Sequence, residues 1–287
     1  MEFAAVITVR NCPRYLSEAL LSVLNQSLKP KEVILVDDAS TDETPDLLRK
    51  LEGRFPIKVV RNEENLERCQ SRNRGAAVAS ADWVCFLDCD DLWDRDHLLS
   101  VKETAEALPG AKAFYAPPKG LIDAFGRLLK EKRPPKEDFD RLLFAGRVGY
   151  PSGSCFERET FLRLGGYLDR YLMREDWEIF LRYRLAGLRV AFLPRGEYFV
   201  REHGSRTSRS RRFLRATLRV YNDYKRALSE DRRSLTLLHA AAQCLRFGRP
   251  RCGRRLFFSL LAERPELIKE RREVWEVLKR LIGRRRR

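Results

Sequence analysis

Apolar and polar positions fall into alternating blocks along the first 110 residues. Residues 3–9 are a short β-type run, and a loop at Asn11-Cys12-Pro13 leads into Leu16, Ala19, Leu20, Val23 and Leu24 at helical spacing. Lys29-Pro30-Lys31 breaks that helix, and residues 33–36 give a second apolar strand. Asp37-Asp38-Ala39-Ser40-Thr41-Asp42-Glu43 then opens another helix, with Ser40 and Glu43 spaced as a capping box. A third strand is expected at 57–60, a turn at 62–65 and a helix at 69–79. The run from Ala81 to Leu87 is a fourth strand, followed by a helix over 94–108. Four strand–helix alternations of this kind predict an α/β fold, with a mostly parallel, Rossmann-like sheet covered by helices on both faces.

The pattern weakens over 117–146, where Pro117-Pro118 and Pro134-Pro135 punctuate a charged stretch expected to be an irregular insertion or lid. Order returns at Tyr150-Pro151-Ser152-Gly153-Ser154-Cys155-Phe156, followed by a helix over 158–164 that Gly165-Gly166 ends. Glu175-Asp176-Trp177-Glu178 opens the next helix, and 190–193 and 198–200 have the look of short edge strands. Beyond Ser205 the character changes to helices at 211–229, 234–247 and 251–281, with a frayed end at 284–287.

The fourth strand ends in Asp88, Asp90 and Asp91, three carboxylates in four residues. Open α/β sheets bind ligands at this carboxyl edge, where Asn11 and Asp37-Asp38 also fall. Carboxylates this close repel one another unless a cation or a proton intervenes. Hard divalent ions bind through one or two carboxylates together with substrate phosphate. The alternative is an acidic turn in which Asp91 or Asp94 caps the following helix.

Charge is divided unevenly. Residues 1–200 carry 31 Lys+Arg against 32 Asp+Glu, whereas residues 201–287 carry 26 against 9, a net of +17. A polyanionic partner therefore belongs to the tail. The seven cysteines form no C-x-x-C pair and are expected to be reduced, mostly buried thiols, as in a cytosolic protein. No signal peptide and no membrane span is expected.

With these residues in place, four motifs in order resemble glycosyltransferases of the GT-A fold, most of all the inverting family 2. They are Val6-Ile7-Thr8-Val9-Arg10-Asn11 with Ser22-Val23-Leu24-Asn25-Gln26-Ser27; Glu32-Val33-Ile34-Leu35-Val36-Asp37-Asp38-Ala39-Ser40-Thr41-Asp42; Phe86-Leu87-Asp88-Cys89-Asp90-Asp91; and Gly165-Gly166-Tyr167 with Glu175-Asp176-Trp177-Glu178. Arg72-Asn73-Arg74-Gly75-Ala76-Ala77 also fits the helix that precedes the acidic strand end. The first strand departs from the usual Pro-Val-Tyr-Asn, ending instead Thr8-Val9-Arg10-Asn11.

The resemblance implies a catalytic domain over 1–205, with a nucleotide-binding half to about 116 and an acceptor half after it, and a basic helical region over 206–287. It implies a nucleotide-diphosphate sugar held by Thr8, Asn11, Asp37, Asp38, Arg72, Asp88, Cys89 and Asp90. A divalent Mn or Mg would sit on Asp90 and Asp91. His203, in Arg201-Glu202-His203, would ligate that metal or meet phosphate, unless it is an ordinary loop histidine. Asp176, beside Glu175, would be the general base, the alternative being a helix-terminal carboxylate that compensates the dipole. Gly153, Ser154 and Trp177 would face a saccharide or lipid-linked acceptor, while His97 and His239 read as structural.

The implied activity is inverting sugar transfer in cell-surface polysaccharide or glycolipid synthesis, in the cytoplasm or peripherally on the inner face of the membrane. The basic tail would then meet anionic lipid or a phosphate-bearing acceptor. Two other readings compete. A sugar-phosphate nucleotidyltransferase would want a glycine-rich loop after the first strand, and Arg10-Asn11-Cys12-Pro13-Arg14 has no glycine. A nucleic-acid binder would need exposed aromatics among the basic residues, whereas Phe213, Tyr221 and Tyr224 share an apolar stripe with Leu214 and Leu218, so no nucleic acid is expected.

Overall fold

The computed structural model describes residues 1–193, 195, 197–202 and 210–282. Its main sheet runs β10-β6-β9-β4-β1-β2-β3. Strand β1 (Phe3–Val9) lies between β2 (Glu32–Asp37) and β4 (Trp83–Asp88), parallel to both, and β3 (Lys58–Arg61) extends the parallel part. Beyond β4 come β9 (Ser154–Glu157), antiparallel to both its neighbours, then β6 (Ala111–Tyr115) and β10 (Arg189–Phe192).

Both faces of this sheet are covered, which is why β1 reads as an unbroken apolar run. Ala4 and Val6 enter one core, and Phe3, Ala5, Ile7 and Val9 enter the other. Helices α1 (Pro13–Leu24), α2 (Thr44–Glu52) and α4 (His97–Ala107) pack on the second of these cores. Helix α3 (Glu67–Val78) lies directly on β1, because a Cβ at Gly75 would come within 2.4 Å of Val6 Cγ1. Helices α6 (Arg158–Arg163) and α7 (Glu175–Leu185) complete the first face.

Several local expectations are corrected. The Ser40–Glu43 capping box does not form, and α2 starts at Thr44. Ser40 instead gives its N–H to Asp37 Oδ1 and accepts the Asn11 N–H on its hydroxyl, which holds it in the loop. Neither Asp91 nor Asp94 caps α4; Asp91 is buried beneath the turn and Asp94 pairs with Lys119.

The stretch 117–146 is not irregular. It contains β7 (Gly120–Ile122), β8 (Leu128–Glu131) and the short helix α5 (Phe139–Phe144), which Asp138 caps through the Arg141 N–H. The chain turns between β7 and β8 because Asp123 accepts the N–H groups of Phe125 and Arg127. These strands join β5 (Leu92–Trp93) and β11 (Tyr198–Arg201) in a second sheet, so β11 is an interior strand and not an edge.

Cys85 and Cys155 are disulfide-bonded, contrary to the expectation of seven thiols. They are register partners on β4 and β9, a juxtaposition that a sequence separation of 70 conceals.

Among the described residues the tail forms four α-helices: α8 (Arg211–Tyr224), α9 (Glu230–Arg246), α10 (Pro250–Glu263) and α11 (Arg271–Ile282). Pro265 interrupts what the sequence suggests is one long final helix, leaving a 3₁₀ turn over Pro265–Lys269. Leu238, Leu245, Phe257, Leu260 and Val277 build a core of its own among α9–α11. Val220 and Leu228, in contrast, belong to the first core of the main sheet, so the tail docks on the sheet-containing part. Tail acids strengthen this docking: Glu273 pairs with Arg141 at 2.7 Å and with Arg147 at 2.9 Å.

Candidate active site

Register brings the carboxyl edge together. Thr8 on β1 stands level with Val36 on β2 and Asp88 on β4, and Val9 stands level with Asp37. Above this edge lies a cavity of about 710 Å³. Thr8, Asp38, Arg72, Asp88, Cys89, Asp90, Asp91, Glu175 and Asp176 all line it, so nine residues singled out in the sequence meet in one place.

Asp38 is positioned by accepting the Asn62 amide at 2.9 Å and the Leu66 N–H at 2.8 Å on one oxygen. Arg72, projecting from α3, is buried between two carboxylates. It donates to Asp88 Oδ1 at 2.6 Å and to Glu175 Oε1 at 3.1 Å, and so ties the end of β4 to the start of α7. The helix that carries Arg72 is located by its neighbour Asn73, whose side chain pairs with both backbone groups of Tyr167, each at 2.8 Å. Cys89 reaches the cavity with its thiol pushed up by contact with Cys12 and by burial.

Asp88, Asp90 and Asp91 each offer an oxygen to a common point, these atoms lying within 4.8 Å of one another. Asp91 is the most enclosed, accepting the Ser152 hydroxyl at 2.7 Å and the Arg201 N–H at 3.1 Å. Burial, then the charges of Asp90 and Asp88, push its pKa well above the usual carboxylate range. An all-carboxylate donor set, with Arg72 the cation paired to Asp88, fits a hard divalent cation. Arg201 braces the same turn from beneath. Its guanidinium donates to Asp90 O at 2.8 Å and Asp123 O at 2.9 Å, and pairs with Glu18 at 2.7 Å.

Asp176 sits in the first turn of α7. One oxygen accepts the N–H of Trp177 and the other the N–H of Tyr150, each at 2.8 Å. Burial and the adjacent Glu175 raise its pKa, while Arg174 and the Tyr150 N–H oppose them. The result is a carboxylate held in place at the cavity wall, with its basicity increased.

Other expected site residues are elsewhere. Asn11 is turned onto the β2–α2 loop, where its Oδ1 accepts the Thr41 N–H at 2.8 Å. Asp37 lies beneath the cavity, bonded to the Ser40 N–H and within 3.5 Å of Arg61. Gly153 is buried because a Cβ there would meet Ala116 O at 2.3 Å. The Ser154 hydroxyl is spent on Tyr150 O, and Trp177 is a core residue whose indole N–H bonds Leu143 O at 2.7 Å. His203 lies outside the described residues.

Sequence reasoning misses several groups in and behind the cavity wall. Ser152 receives the Asp88 N–H while donating to Asp91, and it lies within the Tyr150–Phe156 stretch that the pattern does single out. Arg147 and Arg174 line the far end, and there the tail supplies Phe213, His239, Gln243 and Arg246. His239, read as a structural residue of α9, also lines the cavity. Burial first, then Arg174 and other arginines, push its pKa well below the usual value, so it stands neutral at the wall.

Comparisons with known proteins bear on the fold and the family. In solved structures, the fold is similar to that of Staphylococcus aureus TarS residues 1–349 in complex with UDP-GlcNAc, with a TM-score of 0.67 at 20% identity, covering 86% of this chain and 73% of that one. An uncharacterized glycosyltransferase of Haemophilus influenzae is 30% identical over 57% of this chain, which spans 56% of that relative's length. The amylovoran biosynthesis glycosyltransferase AmsB of Erwinia amylovora is 34% identical over 67% of each chain. The family model for glycosyl transferase family 2 matches residues 4–162, more than half of the sequence, and the chain belongs to that family.

Proposed function

We propose that this protein is an inverting glycosyltransferase that moves a sugar from a nucleotide-diphosphate donor to an acceptor hydroxyl. The carrying observation is that one cavity joins a strand-edge carboxylate cluster at one end to Asp176 in its wall. The nucleotide-binding half is assigned to residues up to about 116, the acceptor half to about 205, and the tail to a further unit. Thr8, Asp38, Arg72 and Asp88 would hold the donor. Asp90 and Asp91, with Asp88 beside them, would hold a divalent Mn or Mg. Such an ion neutralises charge on a departing diphosphate.

Asp176 would accept the acceptor's hydroxyl proton as the acceptor oxygen attacks the anomeric carbon. The bond from that carbon to the diphosphate oxygen breaks, and the electron pair leaves with the nucleoside diphosphate. Arg72 keeps Asp88 and Glu175 fixed relative to each other while this occurs, so the donor and acceptor ends stay in register.

The family and the similarity to AmsB, an amylovoran biosynthesis glycosyltransferase, support a place in cell-surface polysaccharide or glycolipid synthesis. The exposed Phe258 and Trp275 among the arginines of α10 and α11 favour peripheral contact with anionic lipid. None of the helices described is long and apolar enough to cross a membrane.

A thermal-shift screen of nucleoside diphosphates and their sugars, with and without Mn, tests the donor assignment. Stabilisation by a nucleoside diphosphate that depends on Mn is expected. No stabilisation by any of them would overturn the reading.

A further inference from the structure

The end of the cavity beyond Asp176 holds a buried guanidinium that Asp176 and Glu175 influence from a distance without forming a close ion pair with it among the described residues. Arg174 is buried, with 5% of its surface exposed, yet among the described residues no ion pair includes it. One amino group donates to Gly146 O at 3.2 Å, and its Nε has no partner. The guanidinium carbon lies 4.3 Å from the Trp177 ring centroid and 4.9 Å from that of Phe213. Two rings this close confine the group, and its unpartnered Nε is an N–H that can still bond. Burial pushes its pKa down to about 10, the sign of a charge that has lost water without gaining a full partner.

Helix α9 supplies the opposing wall. Gln243 is 8% exposed, and its Oε1 is a second buried polar atom at this end without a partner. Arg246 follows three residues later, on the same helical face and also in the lining. Arg147 completes this end, with its terminal nitrogens on Glu137 and Glu273 and its Nε unpartnered. Three arginines therefore converge where a neutral acceptor would leave one of them buried and unpaired.

We propose that this end is an anion subsite, in which Arg174, with Arg246 and Gln243 opposite, holds the phosphate or carboxylate of a hydroxylated acceptor. The assignment rests on the transferase reading above and adds the acceptor's chemical class. Arg174 meets the anionic oxygens along its free edge, and Gln243 Oε1 accepts a hydrogen bond from a neighbouring hydroxyl. An acceptor without the charge leaves Arg174 unsatisfied, and that difference confers the selectivity.

The test is calorimetry on the full chain saturated with UDP and Mn, so that a phosphate probe cannot report on the nucleotide end. Glycerol 3-phosphate and glucuronate are compared with glycerol and glucose. The charged probes are expected to bind at least tenfold more tightly than their neutral counterparts, and whichever charged group binds better identifies the anion. Arg174→Gln and Gln243→Leu should each weaken that binding several-fold or more while UDP affinity stays within twofold. If Arg174→Gln does not fold, Gln243→Leu and the exposed Arg246→Ala carry the test. Equal binding of charged and neutral probes, or charged-probe affinity unchanged in every folded variant, overturns the proposal. Failure of UDP to bind counts against the UDP-type donor instead, and the same variants then locate the anion on the chain without nucleotide.

Discussion

The backbone N–H of Tyr150 points at Oδ2 of Asp176 from 2.8 Å, and the N–H of Trp177 holds the other oxygen at the same distance. A carboxylate so fixed can take a proton without first having to be oriented. Asparagine has one acceptor oxygen, so Asp176→Asn keeps only one of these bonds and should cost about 1–3 kcal/mol of stability. It cannot take the acceptor's proton, and kcat should fall roughly 10²–10⁴-fold with donor affinity unchanged. In the parent, kcat should rise with pH through a value above the ordinary Asp pKa of about 3.9, because only the ionised form is a base and burial beside Glu175 raises its pKa. That limb should vanish in the variant. Near-normal turnover by Asp176→Asn would move the base to Glu175.

Asp90 and Asp91 should separate by phenotype. Asp90→Ala is expected to abolish Mn-dependent binding of a nucleoside diphosphate with the fold retained. Asp91→Ala also strands the Ser152 hydroxyl and the Arg201 N–H, so a further loss of about 1–3 kcal/mol in denaturant unfolding is expected. Unchanged Mn-dependent binding in both variants would remove the metal from this cluster.

Arg72 shares one guanidinium between the partly buried Asp88 and the buried Glu175. Arg72→Met leaves two carboxylates facing each other without a cation, and a loss of about 3–5 kcal/mol is expected from chemical denaturation. Arg72→Lys keeps the charge but lacks the fork that spans both partners, so an intermediate loss is expected. A methionine variant as stable as the parent would show that the bridge contributes nothing.

The Cys85–Cys155 bond leaves five thiols. Unfolded without reductant, the chain should titrate five thiols, and after reduction seven. Seven thiols before reduction would place the pair as facing thiols on adjacent strands.

Membrane contact is best tested on the outer surface, because removing the tail would also remove one wall of the cavity. Phe258→Ala with Trp275→Ala touches only exposed positions. Weaker co-sedimentation with anionic vesicles is expected, with no change in nucleotide affinity. Equal co-sedimentation would argue against lipid as the partner of that face.

Much of the donor end is legible in the sequence because each part lies in one short contiguous run. An apolar strand ending in acids places Asp88, Asp90 and Asp91 without knowledge of any distant contact. Trp177 fails as an acceptor residue for a geometric reason. Successive residues of a helix point about 100° apart, at 3.6 per turn, so with Asp176 at the cavity its neighbour turns into the core. Asn11 and Ser154 fail because short polar side chains bond to nearby backbone instead. Ser152 and Arg174 stand inside recognised stretches, but what they do depends on partners far away or on the lack of one. Nothing in the local pattern of α9 signals that His239 and Gln243 reach a site built around residue 88, because that depends on how the tail docks.

That docking has a consequence for how such a protein can change. Helices α9–α11 carry a core of their own, yet one face of α9 closes the acceptor end of a cavity whose other end belongs to the βα repeat. If the proposed reading holds, substitutions at positions 239, 243 and 246 would re-specify what receives the sugar while the nucleotide end stays as it is. Recombination near residue 210 would then exchange acceptor preference as a unit, provided the incoming helices present a match for Glu273 to Arg141 and Arg147.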